Sequence, residues 1–495
     1  MTSRSEGEIL RIPEIVGLDA RRSLIRIPPE LDVPLTDRVR KIIDTAAFRR
    51  LGGISQLGLV TLVYPGARHT RFEHSLGVYR LALLFLKRLA HDERFAASVY
   101  PEDALLLIAA ALLHDIGHWP CCHLIEDMSP SGIPPHESIA RHFLLEGEIA
   151  DILRRDWHLD PKEVLCLLEH SQTVRRERES DAELARRQKV FPLLMSILSG
   201  PIDIDKMDYL FRDSHGAGVP YGRHFDQERL IGSLCLNAAG DGLAIADKGK
   251  TAAELMVFAR YVMFSEVYWH HAVRAATVMF QRAFDIVFRI NPRDPFLIES
   301  ALNGSFEQWI ALLRGHCSAA KKQLEEGGEP CGADFPSAGD FDDAVRLLDG
   351  LFGKTRRIYK RVRQFSILEN PTLYRKLAGR PYSELRRFGE RITARILQEE
   401  QSDGERRLRP NDLLIDAPPV DKEIELEIDV HYPREGVYRP LNDVSPVVRA
   451  LAREQFDDSV KKVRLYVAPE IAPRLRDLPD LDRILLETEI EGDVA

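Results

Sequence analysis

His114 and Asp115 stand side by side at the end of an apolar run, residues 104–113, where the pattern of a buried helix would otherwise continue as core. An imidazole nitrogen beside a carboxylate oxygen suits a borderline cation such as Mn²⁺, Fe²⁺ or Zn²⁺ better than a thiolate site does, and two further donors are needed to complete it. Upstream, His74 lies in Arg71-Phe72-Glu73-His74-Ser75-Leu76-Gly77, close to the start of a segment whose apolar residues Leu76, Tyr79, Ala82, Leu83 and Leu86 recur at helical spacing. Downstream, the i, i+4, i+8 spacing of Asp205, Tyr209 and Asp213 places all three on one helical stripe, and Asp208 and Arg212 form an i, i+4 ion pair on another. Each residue alone has an ordinary explanation, since a single histidine near an apolar helix is more often a satisfied core or surface side chain than a ligand. The conjunction of His74, His114, Asp115 and Asp205 with His118, His123 and His136, all in the first half of the chain, points instead to an enzyme with a buried metal.

These residues need helices to position them. Helical patterns dominate from about residue 35 to residue 398, with turn-rich breaks at 130–135 and 216–222. The segment bearing the His-Asp pair opens with Pro101, Glu102 and Asp103, a proline and two acids suited to a first turn, and it ends around Gly117, before Pro120. Residues 175–187 mix both charge signs and read as a solvated helix or loop. Residues 327–343 read as a mobile loop and 401–410 as a charged linker, which sets a boundary near Pro410. Beyond it, residues 423–430 alternate with period two, residues 463–467 repeat strand composition, and 446–456 have helical character. The expected architecture is mainly α: a helical catalytic domain over residues 1–409, with its core motifs in 44–275, and a small α/β lobe over residues 410–495.

Composition narrows the class. The 495 residues suffice for more than one domain, and the net charge of −9 argues against wholesale binding to nucleic acid. No stretch approaches the ~20 apolar residues of a membrane span, and the polar start of the chain lacks the apolar centre of a secretion signal, so no membrane partner and a cytoplasmic location are expected. Six cysteines without a Cys-x-x-Cys pair argue against a zinc ribbon or a disulfide framework.

The order His, His-Asp, Asp on separate helical segments resembles the HD superfamily of metal-dependent phosphohydrolases. Within it the chain resembles the deoxynucleoside triphosphate triphosphohydrolases, the family of a mammalian antiviral dNTPase. The likeness runs through residues 44–51, Gln56-Leu57-Gly58, Tyr64-Pro65-Gly66-Ala67 and the motif at 71–77, resumes at His114-Asp115-Ile116-Gly117-His118, His136-Glu137 and residues 204–209, and echoes at Arg260 and Tyr268-Trp269-His270.

The resemblance implies that His74, His114, Asp115 and Asp205 hold a divalent metal, with Mn, Fe, Mg, Co and Zn all open. Arg71, Lys206 and Arg260 would bind the triphosphate, as a fork and point charges suit several phosphoryl oxygens. Gln56 and Asp213 would bond the sugar 3′-hydroxyl, Leu57 and Tyr268 would pack against C2′, and Tyr209 would stack beside the sugar or base. His118 and His123 would line the cleavage site, with His123 the general acid for the leaving 5′-oxygen, oriented by Glu126 and His136. The implied reaction is attack of metal-activated water on the α-phosphorus, which releases a deoxynucleoside and tripolyphosphate. A homo-oligomer is also implied. Of the two residues that read an activating guanine nucleotide in relatives, Asp44 matches the acidic one whereas Gly52 occupies the arginine position, so activation by guanosine triphosphate is not expected. Two other readings stay open: an HD phosphohydrolase acting on nucleoside monophosphates, signalling nucleotides or single-stranded nucleic acid ends, and a degenerate HD nucleotide-binding sensor.

Overall fold

A computed structural model describes residues 4–490 apart from 131, 172–178, 293, 295, 329–333, 400–407, 420–426 and 452–455. The chain gathers into two compact units that interleave along the sequence. Unit 1 comprises residues 1–120, 134–263 and 424–453, and unit 2 comprises 121–133, 264–423 and 454–495.

Unit 1 is built on α1 (Arg71–Leu89), α2 (Pro101–Leu113), α3 (Asp181–Ser199), α4 (Ile204–Ala217) and α5 (Lys250–Met263). Helix α2 starts as its sequence dictates: Pro101 occupies the first turn, and the Asp103 carboxylate accepts a hydrogen bond from the Tyr100 N–H at 2.9 Å. It is apolar on every side, and residues 106–113 are all at most 1% exposed, so it forms the centre of the unit with α1 packed against it. Helix α4 begins at the N-cap Asp203, whose side chain accepts from the Lys206 N–H at 2.6 Å, and it stops at Gly218, where φ is 71°. It packs on α1, α3 and α5. A hairpin of β1 (Leu24–Ile27) and β2 (Leu31–Pro34) lies against α1 through β2. A sheet in the order β3-β4-β7-β8 joins β3 (Leu234–Leu236) and β4 (Leu243–Ala246) to β7 (Asp429–Tyr432) and β8 (Val437–Pro440).

Unit 2 pairs α6 (His271–Phe288) with α7 (Ala338–Phe352) over an aromatic core of Phe280, Phe284 and Trp309. Its antiparallel sheet places β9 (Val463–Val467) between β5 (Lys360–Phe365) and β6 (Leu413–Asp416), and Arg274 on α6 bonds Asp416 at 2.6 Å.

The mainly helical fold class agrees with the sequence, as do the helical character near 446–450 and the strand at 463–467. The late strands lie in small sheets, where β7 pairs with β4 (Ile245 opposite Val430) and β9 with β5. Several details differ. Residues 338–343, expected in a loop, begin α7, where Ser337 and Asp340 form a reciprocal cap. Arg186 and Arg187 are not solvated: Arg187 is 1% exposed and bonds Glu163 and Glu179, and Arg186 bonds Asp103. The charged linker falls largely outside the described residues, as does the first half of the strand expected over 423–430, whose last two residues open β7. No described helix is long and apolar enough to cross a membrane.

Candidate active site

The ends of three helices in unit 1 meet at the expected metal ligands. Helix α1 is started by Thr70, whose N–H donates to the Glu73 carboxylate at 2.6 Å, and this puts His74 in the first turn. His114 is the C-cap of α2 and Asp205 lies in the first turn of α4. His74 Nε2 is 2.9 Å from Asp205 Oδ1 and 3.2 Å from His114 Nε2, and the donor atoms of these three residues all lie within 4.8 Å of one another. Asp115 borders the group, with Oδ1 3.5 Å from His114 Nε2 and Oδ2 4.0 Å from His74 Nε2.

Each donor is held by a neighbour. His114 turns Nδ1 to the Ala111 carbonyl at 2.9 Å, which accepts its proton and leaves Nε2 as the donor atom facing the cluster. His74 Nδ1 meets Asp208 Oδ2 at 2.8 Å, and Asp208 in turn accepts from Arg212 Nε at 2.8 Å and Nη2 at 2.9 Å. Arg71 donates to Asp115 at 2.8 Å. The turn after α2 is fixed by Arg50, which donates to the carbonyls of Ile116 and His118. Two glycines provide space: a Cβ on Gly77 would lie 1.9 Å from Asp208 Oδ1, and one on Gly117 would lie 2.0 Å from the His136 carbonyl.

The electrostatics favour an added positive charge. Burial works against the imidazolium of His74, but hydrogen bonds to Asp205 and Asp208 and the charge of Asp115 outweigh it and raise its pKa to about 10. Burial likewise works against the Asp115 carboxylate, yet Arg71 and the surrounding histidines hold it well below the usual range. Arg212 and His74 overcome burial to bring Asp208 to about 2. Two imidazoles and an ionised carboxylate in a carboxylate-rich cage therefore fit a divalent cation, and His74, His114 and Asp205 could hold one with Asp115 beside them.

Other expected site residues belong to the same unit. Lys206 Nζ is held at 3.1 Å from the Gly200 carbonyl and 2.5 Å from Asp203, a buried carboxyl that desolvation and Asp205 lift to about 7 against the pull of Lys206. Burial pushes the Tyr209 phenol up while the charge of Arg260 opposes it, which places Arg260 electrostatically beside Tyr209. Gln56 has a buried Oε1 that accepts no hydrogen bond among the described residues, and Leu57 leads into the turn Gly58–Leu62. Asp213 is buried against His69. The rings of His118 and His136 lie 4.0 Å apart, and His118 Nδ1 is 3.2 Å from Asp115. His123, Glu126 and Tyr268 belong to unit 2, where His123 Nδ1 lies 3.4 Å from Glu126 and Tyr268 packs edge-on against Phe264.

The sequence reading did not assign Asp208 to His74, nor His69 to Asp213. A signal for the first was present: glycine inside a helix is unfavourable by about 0.5–1 kcal/mol, so Gly77 within α1 marks a close neighbour, and that neighbour is the Asp208–Arg212 pair.

Residues 71–211 match the HD domain and residues 225–301 match the HD associated region. The chain thus carries an HD domain over residues 71–211. It is also a distant relative of the deoxynucleoside triphosphate triphosphohydrolases: it is 30% identical to human deoxynucleoside triphosphate triphosphohydrolase SAMHD1 over 261 residues, 49% of this chain and 41% of that protein. It is 34% identical to the uncharacterized protein YwfO of Bacillus subtilis (strain 168) over 241 residues, 48% of this chain and 49% of that one. The chain thus spans about half the length of the curated relatives it matches. Two solved structures share the fold: a hypothetical protein from Aquifex aeolicus (TM-score 0.61, 23% identity, 92% of this chain and 98% of that one) and a phosphohydrolase from Bacteroides thetaiotaomicron (TM-score 0.57, 21% identity, 90% and 100%).

Proposed function

We propose that this chain is a metal-dependent phosphohydrolase that converts deoxynucleoside triphosphates and water to deoxynucleosides and tripolyphosphate. The observation that carries the reading is the close grouping of His74, His114 and Asp205 in the same unit as the cations Arg71, Lys206 and Arg260 and the polar side chains of Gln56 and Asp213. A divalent cation bound there supplies Lewis acidity and lowers the pKa of water toward neutrality.

The chain's own residues do the rest. Asp208 and the Ala111 carbonyl orient the two imidazoles, so the donor atoms are set before anything binds. A guanidinium carries five N–H donors, so Arg71 can bridge Asp115 and a phosphoryl oxygen, and Lys206 adds a point charge steered by Asp203. These cations offset charge that grows on the phosphoryl oxygens as the bond from phosphorus to O5′ breaks. Gln56 and Asp213 receive the 3′-hydroxyl and Leu57 faces C2′, where an added hydroxyl would be buried without a partner. His118 and His136 belong to the acid–base machinery. The roles of general acid, its orienting carboxylate and second C2′ neighbour stay with His123, Glu126 and Tyr268 as the family resemblance implies.

The test is product chromatography on a panel of deoxynucleotides and ribonucleotides with Mn²⁺, Mg²⁺ or Co²⁺. Deoxynucleoside plus tripolyphosphate is the expected outcome, with deoxynucleotides cleaved about tenfold to hundredfold faster than their ribose counterparts. Release of orthophosphate or pyrophosphate, or equal rates on both sugars, overturns the reading.

A further inference from the structure

We propose that His69 is the positioning residue that fixes Asp213 for the 3′-hydroxyl of the substrate, an inference that rests on the function proposed above. His69 Nε2 lies 2.8 Å from Asp213 Oδ1, and the two side chains are 8% and 3% exposed. A buried pair of this kind is placed by the backbone on both sides, and the backbone here is unusually close. Gly66 and Gly216 face one another: a Cβ on Gly66 would lie 2.7 Å from the Gly216 carbonyl oxygen, and a Cβ on Gly216 would lie 2.4 Å from His69 Nδ1. Only with glycine at both positions can the segment 66–69 settle on the last turn of α4, next to Asp213.

The same contact assigns the proton. His69 Nδ1 is buried against Gly216 and has no hydrogen-bond partner among the described residues, so a hydrogen there would be a buried donor without an acceptor. The imidazole therefore carries its hydrogen on Nε2 and donates it to Asp213. A donor fixed on one carboxylate oxygen sets the plane of the carboxylate and keeps it an acceptor, which is what a hydroxyl ligand requires.

His69 also holds the second half of the sugar subsite. Its carbonyl accepts from the Gln56 N–H at 3.1 Å, beside the bridge between Ser55 and Thr70 and the Arg71 N–H bond to the Ile54 carbonyl at 3.0 Å. The side chain of His69 thus fixes Asp213 while its main chain fixes the Gln56 backbone, so that Asp213 can accept the hydroxyl hydrogen and the Gln56 amide NH2 can donate to the hydroxyl oxygen.

The experiment measures kcat and KM for wild type, His69→Ala and His69→Gln on one deoxynucleoside triphosphate and on its 2′,3′-dideoxy counterpart, with metal content and melting temperature as controls. His69→Ala is expected to lower kcat/KM on the deoxynucleotide about tenfold to hundredfold, mainly through KM, and to change the dideoxy rate by less than about twofold. Gln can donate from a similar place, so His69→Gln is expected to recover most of the loss. An equal loss on both substrates, no loss on either, or a wild type that does not distinguish them overturns the role of His69 while leaving the hydrolase reading intact. A wild type that retains metal but cleaves no deoxynucleoside triphosphate overturns the proposed function and this inference together.

Discussion

Replacing Asp208 by Asn separates the orientation of the metal ligands from the ligands themselves. Asp208 accepts two hydrogen bonds from Arg212 and contacts His74 Nδ1 at 2.8 Å, with its side chain 5% exposed. Asn keeps the shape but offers one oxygen and one amide, so a donor must now face either the guanidinium or the imidazole N–H. Arg212 is 3% exposed and would lose its charged partner, a change that costs about 3–5 kcal/mol when a buried pair is broken outright. The remaining Asn oxygen still takes one bond, so a stability loss near the lower end, ~3 kcal/mol, is expected. Metal affinity should fall about tenfold to hundredfold, the usual effect of removing the group that orients a ligating histidine, or ~1.4–2.8 kcal/mol. Urea denaturation reads the first quantity and equilibrium dialysis with Mn²⁺ or Co²⁺ the second. Asp32→Asn is the control, because Asp32 pairs with Arg26 at 48% and 62% exposure and should change stability by no more than ~1 kcal/mol and metal affinity not at all. Unchanged metal affinity in a folded Asp208→Asn protein would refute the assignment of Asp208 to His74.

Further outcomes follow from the same geometry. The pKa of His74 in the metal-free protein is raised to about 10 from 6.5, so its stabilising contribution is complete below pH 6.5 and is lost as pH rises toward 10; urea titrations in chelator at several pH values should show that decline, and Asp208→Asn should flatten it. Because metal must displace the same proton, apparent metal affinity should rise over that pH window, which calorimetry in buffers of different ionisation heat can follow. Gly77→Ala places a methyl 1.9 Å from Asp208 Oδ1 and should destabilise by about 1–3 kcal/mol and weaken metal binding, whereas an unaltered melting temperature would contradict the contact. His114→Ala should abolish hydrolysis and metal retention while the circular dichroism spectrum is preserved, since His114 caps α2 and lies outside its apolar body.

The donor residues were readable from the linear chain because they sit at features that local physics controls. The start of α2 at Pro101 with Asp103 as its cap, the apolar run that must be buried, and the i, i+4 spacing of Asp208 and Arg212 are all properties of a few consecutive residues. Likewise the strand composition of residues 463–467 was enough to identify a strand. What those residues meet was not local. Whether Asp208 serves only Arg212 or also His74 depends on α4 crossing α1 at Gly77, a contact between residues more than a hundred positions apart. Arg187 reads as a solvated charge until Glu163 and Glu179 are seen around it, since an ion pair can be buried only when its partners arrive with it. Strand β7 is too short to reveal its neighbour, and its parallel pairing with β4 arises from packing that no hairpin spacing encodes. Sequence alone determined where the helices of the site begin and which side chains could bind a metal, because propensity, capping and periodicity act over one or two turns. Tertiary structure alone decided which second residue holds each of those side chains, because burial, and the electrostatic demand that accompanies it, exists only once distant helices have closed around the site.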